Sequence, residues 1–255
     1  MFYKESKSFL FSIVKCKGRC KVDKRIIILI PSYEPDIKLI NLVNKLSNEN
    51  MDIILIDDGS GSSYKEIFDK CKEYAIVISY EINKGKGYAL KTGLKYIRDN
   101  FKEPYTIVTM DSDGQHRVSD AKKLIKEINV NEKILIIGKR IRNNNTPLRS
   151  KIGNALTRII YRFATGIDVY DTQSGLRVFN NTLVDFLMDI EGNRFEYEMN
   201  VLLKCAIDKI QIKEVKIETI YIDNNSGSHF NAIKDSYRIY KDIIKNSSKY
   251  KKGKK

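Results

Sequence analysis

From residue 25 onward, short β-branched runs alternate with segments of helical periodicity. Ile26–Ile30 is a strand-length apolar run stopped by Pro31, and Asp36–Asn48 follows with Ile37, Ile40, Leu42, Val43 and Leu46 at mostly helical spacing. The same reading gives strands at Asp52–Ile56, Ala75–Tyr80, Tyr105–Met110 and Ile134–Gly138. Helices fall at Ser63–Tyr74, Gly87–Asn100 and Ala121–Asn129. Beyond residue 140 the pattern loosens. Lys151–Thr165 and Glu196–Cys205 read as helices, Leu176–Phe179 and Val215–Ile222 as short strands, and Asp223–Ser228 as a loop. This βαβα order predicts an α/β fold: a Rossmann-like, doubly wound, mainly parallel sheet with helices on both faces.

A last helix is predicted over Ala232–Asn246. It places Ile233, Tyr237, Tyr240 and Ile244 on one stripe and Lys234, Arg238, Lys241 and Lys245 on the remainder. The expected organisation is a basic N-terminal extension over 1–24, a catalytic-size domain over 25–230, and a basic amphipathic helix and tail over 231–255. No apolar run approaches the roughly 18 residues of a membrane-spanning helix, so the expected location is cytoplasmic and peripheral at a membrane.

The net charge of +14 calls for a polyanionic partner: nucleic acid, anionic lipid, or nucleotide and phosphate substrates. Much of the excess crowds the two ends, where solvated tails and a surface-binding role are both consistent with it. Cys16, Cys20, Cys71 and Cys205 show no paired CxxC spacing and no suitably placed His, so they read as ordinary thiols.

In a doubly wound sheet, ligands sit outside the carboxyl ends of the strands. Three polar clusters fall there: Pro31-Ser32-Tyr33-Glu34, Asp57-Asp58-Gly59-Ser60 and Asp111-Ser112-Asp113-Gly114-Gln115-His116. Two carboxylates one residue apart, in a turn opened by Gly114, suit a hard divalent cation such as Mg²⁺ or Mn²⁺. A polar turn with capping aspartates fits them as well. Asp57 and Asp58 are placed to accept hydrogen bonds from a base or ribose, or to cap the next helix. Gly85, Lys86 and Gly87 open a helix, where an approaching phosphate is favoured; the spacing is not that of a P-loop. Arg140, Arg149, Lys151 and Arg177 can clamp phosphate oxygens, and Glu196 and Glu198 begin a helix from which one can face the crevice. His116 and His229 have no Ser or Cys nucleophile joined to them, which leaves a hydrolase triad without support.

Taken as a set, IPSYEP, DDGS, NKGKGYAL, DSDGQH, GKR, DTQSGLR and RFEYEMN resemble the family 2 glycosyltransferases of GT-A fold. Within them the strings are most similar to the polyprenyl-phosphate, dolichyl-phosphate-type, sugar synthases. The resemblance runs from about residue 25 to 245. It implies that Pro31, Tyr33, Glu34, Asp57, Asp58, Gly85, Lys86, Asp111 and Ser112 line the nucleotide-sugar site, and that Asp111, Asp113 and Gln115 hold metal and diphosphate. It further implies that Arg140 and Arg177 face donor or acceptor phosphates, with Asp111, Asp113, Glu198, Arg140 and Arg177 forming the catalytic set. The expected partners are a UDP- or GDP-linked sugar, a lipid phosphate acceptor, an anionic membrane surface and a separate membrane protein if one completes the enzyme; nucleic acid is not among them. Two alternatives stand beside it: transfer to a saccharide hydroxyl of a cell-wall or capsular glycan, and a non-catalytic nucleic-acid-binding module. The second leaves the acidic strand ends unexplained, because carboxylates repel phosphate.

Overall fold

A computed structural model describes residues 25–129, 132–141 and 148–218, with the backbone alone described for 148–153. The predicted 1–24 extension and the Ala232–Asn246 helix lie outside these residues, as do His229, the loop Asp223–Ser228 and the side chains of Arg149 and Lys151. In chain order the elements are β1 (Arg25–Ser32), α1 (Lys38–Ser47), β2 (Asp52–Asp57), α2 (Lys65–Cys71), β3 (Ile76–Ser79), α3 (Lys86–Asn100) and β4 (Tyr105–Thr109). They continue with α4 (Val118–Lys126), β5 (Ile134–Arg140), α5 (Leu148–Thr165), β6 (Arg177–Asn180), α6 (Val184–Met188), α7 (Glu196–Ile207) and β7 (Gln211–Ile217).

The seven strands form one sheet in the order β3-β2-β1-β4-β6-β5-β7. All neighbours are parallel except β6, which runs antiparallel to both β4 and β5. The expected mainly parallel α/β sheet is present, with a reversed strand inside it. The continuous apolar run of β1 is explained by burial on both faces. Ile27 and Leu29 pack with Leu90, Leu94, Tyr197 and Leu202 of α3 and α7, while Ile28 and Ile30 pack with Leu39, Val43 and Leu124 of α1 and α4. Gly93 permits the closest of these contacts: a Cβ there would meet Leu29 Cδ1 at 2.2 Å.

Some boundaries differ from the sequence reading. α4 begins three residues earlier than expected, after Arg117, whose side chain makes no capping hydrogen bond; the usual start signal is absent. β7 begins at Gln211 rather than Val215, because its Lys and Glu positions interrupt the apolar pattern. They are tolerated on an edge strand paired only with β5. The short α6 was not anticipated; five residues are too few to show a helical period. Among the described residues, no helix is long and apolar enough to cross a membrane.

Candidate active site

Parallel pairing brings the carboxyl ends of β1, β2 and β4 to one edge, where the first two motifs are stitched together. The Ser60 amide donates to Asp57 Oδ1 at 2.9 Å, and the Glu34 amide donates to Ser60 Oγ at 2.9 Å. Glu34 adopts a left-handed backbone, φ 47°, a conformation unusual outside glycine and asparagine. Its carboxylate, hydrogen-bonded to the Tyr33 side chain, raises the Tyr33 phenol. Pro31 is buried beneath them.

Asp58 organises the neighbouring loop. Its Oδ1 accepts from the Tyr80 hydroxyl at 2.6 Å and the Lys84 amide at 2.9 Å; its Oδ2 accepts from the Gly85 amide at 2.8 Å and Asn83 Nδ2 at 3.0 Å. A buried carboxylate with several donors is a strong local tie. The glycines of this loop serve close approach. A Cβ on Gly59 would meet the Asn83 amide nitrogen at 2.4 Å. One on Gly85 would meet Arg194 Cγ at 2.5 Å, and one on Gly87 would meet Tyr197 Cβ at 2.5 Å. The N-terminus of α3 is thereby locked to the segment leading into α7, with the Tyr88 amide donating to the Asn193 carbonyl at 2.9 Å.

That lock places three charged groups together. The Lys86 ammonium at the start of α3 lies 2.6 Å from Asp111 Oδ1, after β4, and 2.8 Å from Glu198 Oε2 on α7. His116 Nε2 sits 3.3 Å from the other Asp111 oxygen. Burial on its own would raise the Asp111 carboxyl, but the Lys86 ammonium and His116 hold it well below the usual carboxylate range. Burial likewise opposes the charge on Lys86, yet Asp111 and Glu198 raise it above an ordinary lysine. Asp113 behaves in the opposite way: burial, then the charge of Asp111, push its carboxyl up, while its Oδ1 accepts from the Gln115 amide at 3.0 Å. Ser112 is half-buried between the two aspartates.

Glu198, not Glu196, faces the crevice. Glu196 Oε1 accepts from the amides of Asn193 and Arg194, both at 3.1 Å, and so caps its own helix entry. Arg177 is buried, donating from Nη1 to the Glu198 carbonyl at 2.9 Å and from Nε to the Ser174 carbonyl at 3.1 Å. It ties β6 to α7 and positions Glu198 from behind. Arg140 makes a bidentate pair with Asp171, Nε at 2.6 Å and Nη2 at 2.8 Å. Nothing in the sequence pointed to that partner 31 residues away. The sequence also gave no sign of Tyr80 and Asn83 as holders of Asp58, or of Gly175 as the cradle of Asp111. A Cβ on Gly175 would lie 2.4 Å from Asp111 Oδ2.

The donor type at Asp111 and Asp113 is that of a hard divalent cation: two carboxylates of one turn, the first seated against Gly175 and its charge expressed on the second. Lys86 compensates part of that charge in its place.

A family model described as Glycosyl transferase family 2 matches residues 27–188. The chain is 35% identical over 222 residues to the UDP-N-acetylglucosamine–dolichyl-phosphate N-acetylglucosaminyltransferase of Methanococcus voltae, covering 79% of this chain and 88% of that protein. It is 25% identical over 252 residues to the dolichyl-phosphate beta-glucosyltransferase of Saccharomyces cerevisiae, covering 85% and 72%. Among solved structures it is similar to the Mycobacterium tuberculosis glucosyl-3-phosphoglycerate synthase in complex with Mn²⁺, uridine-diphosphate-glucose and phosphoglyceric acid. There the TM-score is 0.66 at 16% identity, over 89% of this chain and 81% of that one. That likeness carries the GT-A fold expected from the motifs. With the family model reaching from β1 through β6 and over the strand-end motifs between them, this chain belongs to glycosyl transferase family 2.

Proposed function

We propose that this enzyme is an inverting, divalent-metal-dependent glycosyltransferase that moves a sugar from a nucleotide diphosphate to a polyprenyl phosphate. The observation that carries the acceptor is the 35% identity, across 79% of the chain, to a relative named for dolichyl phosphate. A relative named as an undecaprenyl-phosphate transferase, 23% identical over 175 residues, supports the same class. Membership of a transferase family displaces the non-catalytic nucleic-acid module.

The nucleotide enters over Pro31, Tyr33, Glu34 and Asp57, with Asp58 shaping the loop that presents Gly85 and Lys86. Asp111 and Asp113, with Gln115 beside them, hold the cation, which when bound supplies positive charge to the departing diphosphate. The acceptor oxygen attacks the anomeric carbon from the face opposite that leaving group. A phosphate acceptor arrives already anionic and requires little help from a base. A saccharide hydroxyl would require one, and Glu198, which faces the crevice beside Lys86, is the candidate. Arg177 acts through the Glu198 backbone, and Arg140 through Asp171.

The charge of +14 supports peripheral attachment to an anionic membrane. In this reading 1–24 and 231–255 flank the catalytic domain, and a separate membrane protein is a further partner of the same surface. Whether the donor carries UDP or GDP is answered by nucleoside-diphosphate release across a donor panel. The test of the mechanism is Asp113→Ala and Glu198→Gln assayed with both acceptor types. Loss in Asp113→Ala together with retained phosphate transfer in Glu198→Gln supports the proposal, and full activity in Asp113→Ala sinks the metal assignment.

A further inference from the structure

Lys86 is bound differently from a residue waiting for a nucleotide. Its ammonium is within 2.8 Å of carboxylates from two separate elements, and its side chain is only 17% exposed. Glu198, at 12% side-chain exposure, has Lys86 as its cationic partner, and Asp111 shares that same cation. An ammonium 2.6 Å from Asp111 Oδ1 neutralises much of the charge that this carboxylate would offer a divalent cation, and two cations drawn to one carboxylate repel each other.

We propose that Lys86 is a built-in counter-ion that competes with the divalent cation for Asp111, so that metal binds weakly until a diphosphate arrives to take the ammonium. The inference rests on the transferase reading and adds an order to it. Without nucleotide, Lys86 satisfies Asp111 and Glu198 and keeps the crevice assembled. An incoming diphosphate offers the ammonium a new anionic partner, which frees Asp111 for the cation. Glu198 loses its cation in the same exchange. Metal and nucleotide affinities are then linked through one lysine, each raising the other. The geometry also explains how the start of α3, the end of β4 and α7 hold their spacing without a ligand: the ammonium is the bridge between them.

The test is Mn²⁺ binding without nucleotide, followed by the electron paramagnetic resonance signal of free Mn²⁺, which reads the site independently of turnover. Lys86→Met removes the competitor, and its Mn²⁺ dissociation constant is expected to fall about tenfold or more, the scale of one elementary charge removed beside a partly buried ligand. Lys84→Met is the control. It removes an equal charge two residues away, where the ammonium lies over the rings of Tyr80 and Tyr88, and it should change Mn²⁺ affinity less than about twofold, as expected of an exposed charge. Should Lys86→Met not fold, Lys86→Gln, which keeps hydrogen-bond donors without the charge, carries the same expectation. UDP is then added to each protein. The tightening of Mn²⁺ binding by UDP is expected to be smaller in the Lys86 variant than in wild type. Unchanged or weaker Mn²⁺ binding in the variant, with wild type still binding Mn²⁺ in the presence of UDP, overturns the counter-ion role and leaves the transferase reading standing. Equal gains in the Lys84 and Lys86 variants overturn it as well, reducing the effect to general charge. Absence of Mn²⁺ binding in every protein, with and without UDP, overturns both this role and the metal-dependent reading.

Discussion

The Asp58 carboxylate receives the Gly85 amide at 2.8 Å, and this single tie fixes where α3 begins. The amide of Lys84 and the side chains of Tyr80 and Asn83 converge on the same carboxylate. Asp58→Ala would leave these donors with no acceptor in a buried setting. Hydrogen bonds to charged groups contribute about 1.5–3 kcal/mol each and do not add simply, so the expected loss is about 3 kcal/mol in urea unfolding. Asp58→Asn should recover part of it. A change below about 0.5 kcal/mol, the range of neutral surface substitutions, would contradict the role given to Asp58.

Gly175 separates positioning from folding. Its backbone lies outside the left-handed region, so alanine is conformationally acceptable, but the added Cβ would sit 2.4 Å from Asp111 Oδ2. The carboxylate has to move. Gly175→Ala is expected to keep a cooperative melt near wild type while turnover falls about 100-fold, as for a reacting group misplaced by about 1 Å. Steady-state kinetics beside a thermal melt reads both; wild-type turnover would show that Asp111 is not held where the chemistry needs it.

Arg140 yields a stability prediction beside the phosphate contact that the resemblance implies. The Asp171 side chain is 2% exposed and pairs with both guanidinium nitrogens. Arg140→Ala removes the guanidinium from a buried carboxylate that the Arg140 and Gln173 amides still reach, at a cost of about 3 kcal/mol, whereas Arg140→Lys loses the fork and recovers only part. Retained stability with a raised KM in Arg140→Lys would return the residue to phosphate binding.

Burial pushes the Cys71 thiol up to about 11 and the Cys205 thiol up to about 12. The raised values mean less thiolate at pH 8 than in an unfolded chain, whose thiols titrate near about 8.5. Iodoacetamide at pH 8 should leave both unlabelled in the native enzyme and label both in guanidinium, as read by peptide mass spectrometry. Labelling of Cys205 in the native state would contradict its place in the core.

The sheet was legible because β-branched runs stop at Pro31, Asp57 and Asp111, and parallel pairing does the rest. The chemistry-bearing strand ends were legible for the same reason: polar residues ending apolar strands leave few roles open. Pairings were not. Lys86 meets Glu198 across 112 residues and Asp171 meets Arg140 across 31, and no local period records such contacts. The glycines of NKGKG suggest phosphate approach, and Gly85 and Gly87 also admit Arg194 and Tyr197. A glycine signals close approach without naming what approaches.

The central claim is that sugar leaves a nucleotide diphosphate for a polyprenyl phosphate in the crevice around Asp111. Purified enzyme, Mn²⁺ and radiolabelled nucleotide sugar, incubated with polyprenyl phosphate and then extracted into organic solvent, test it directly. The account predicts label in the organic phase, abolished by chelation and by Asp111→Ala. Label that stays aqueous with polyprenyl phosphate but enters a saccharide acceptor would contradict it.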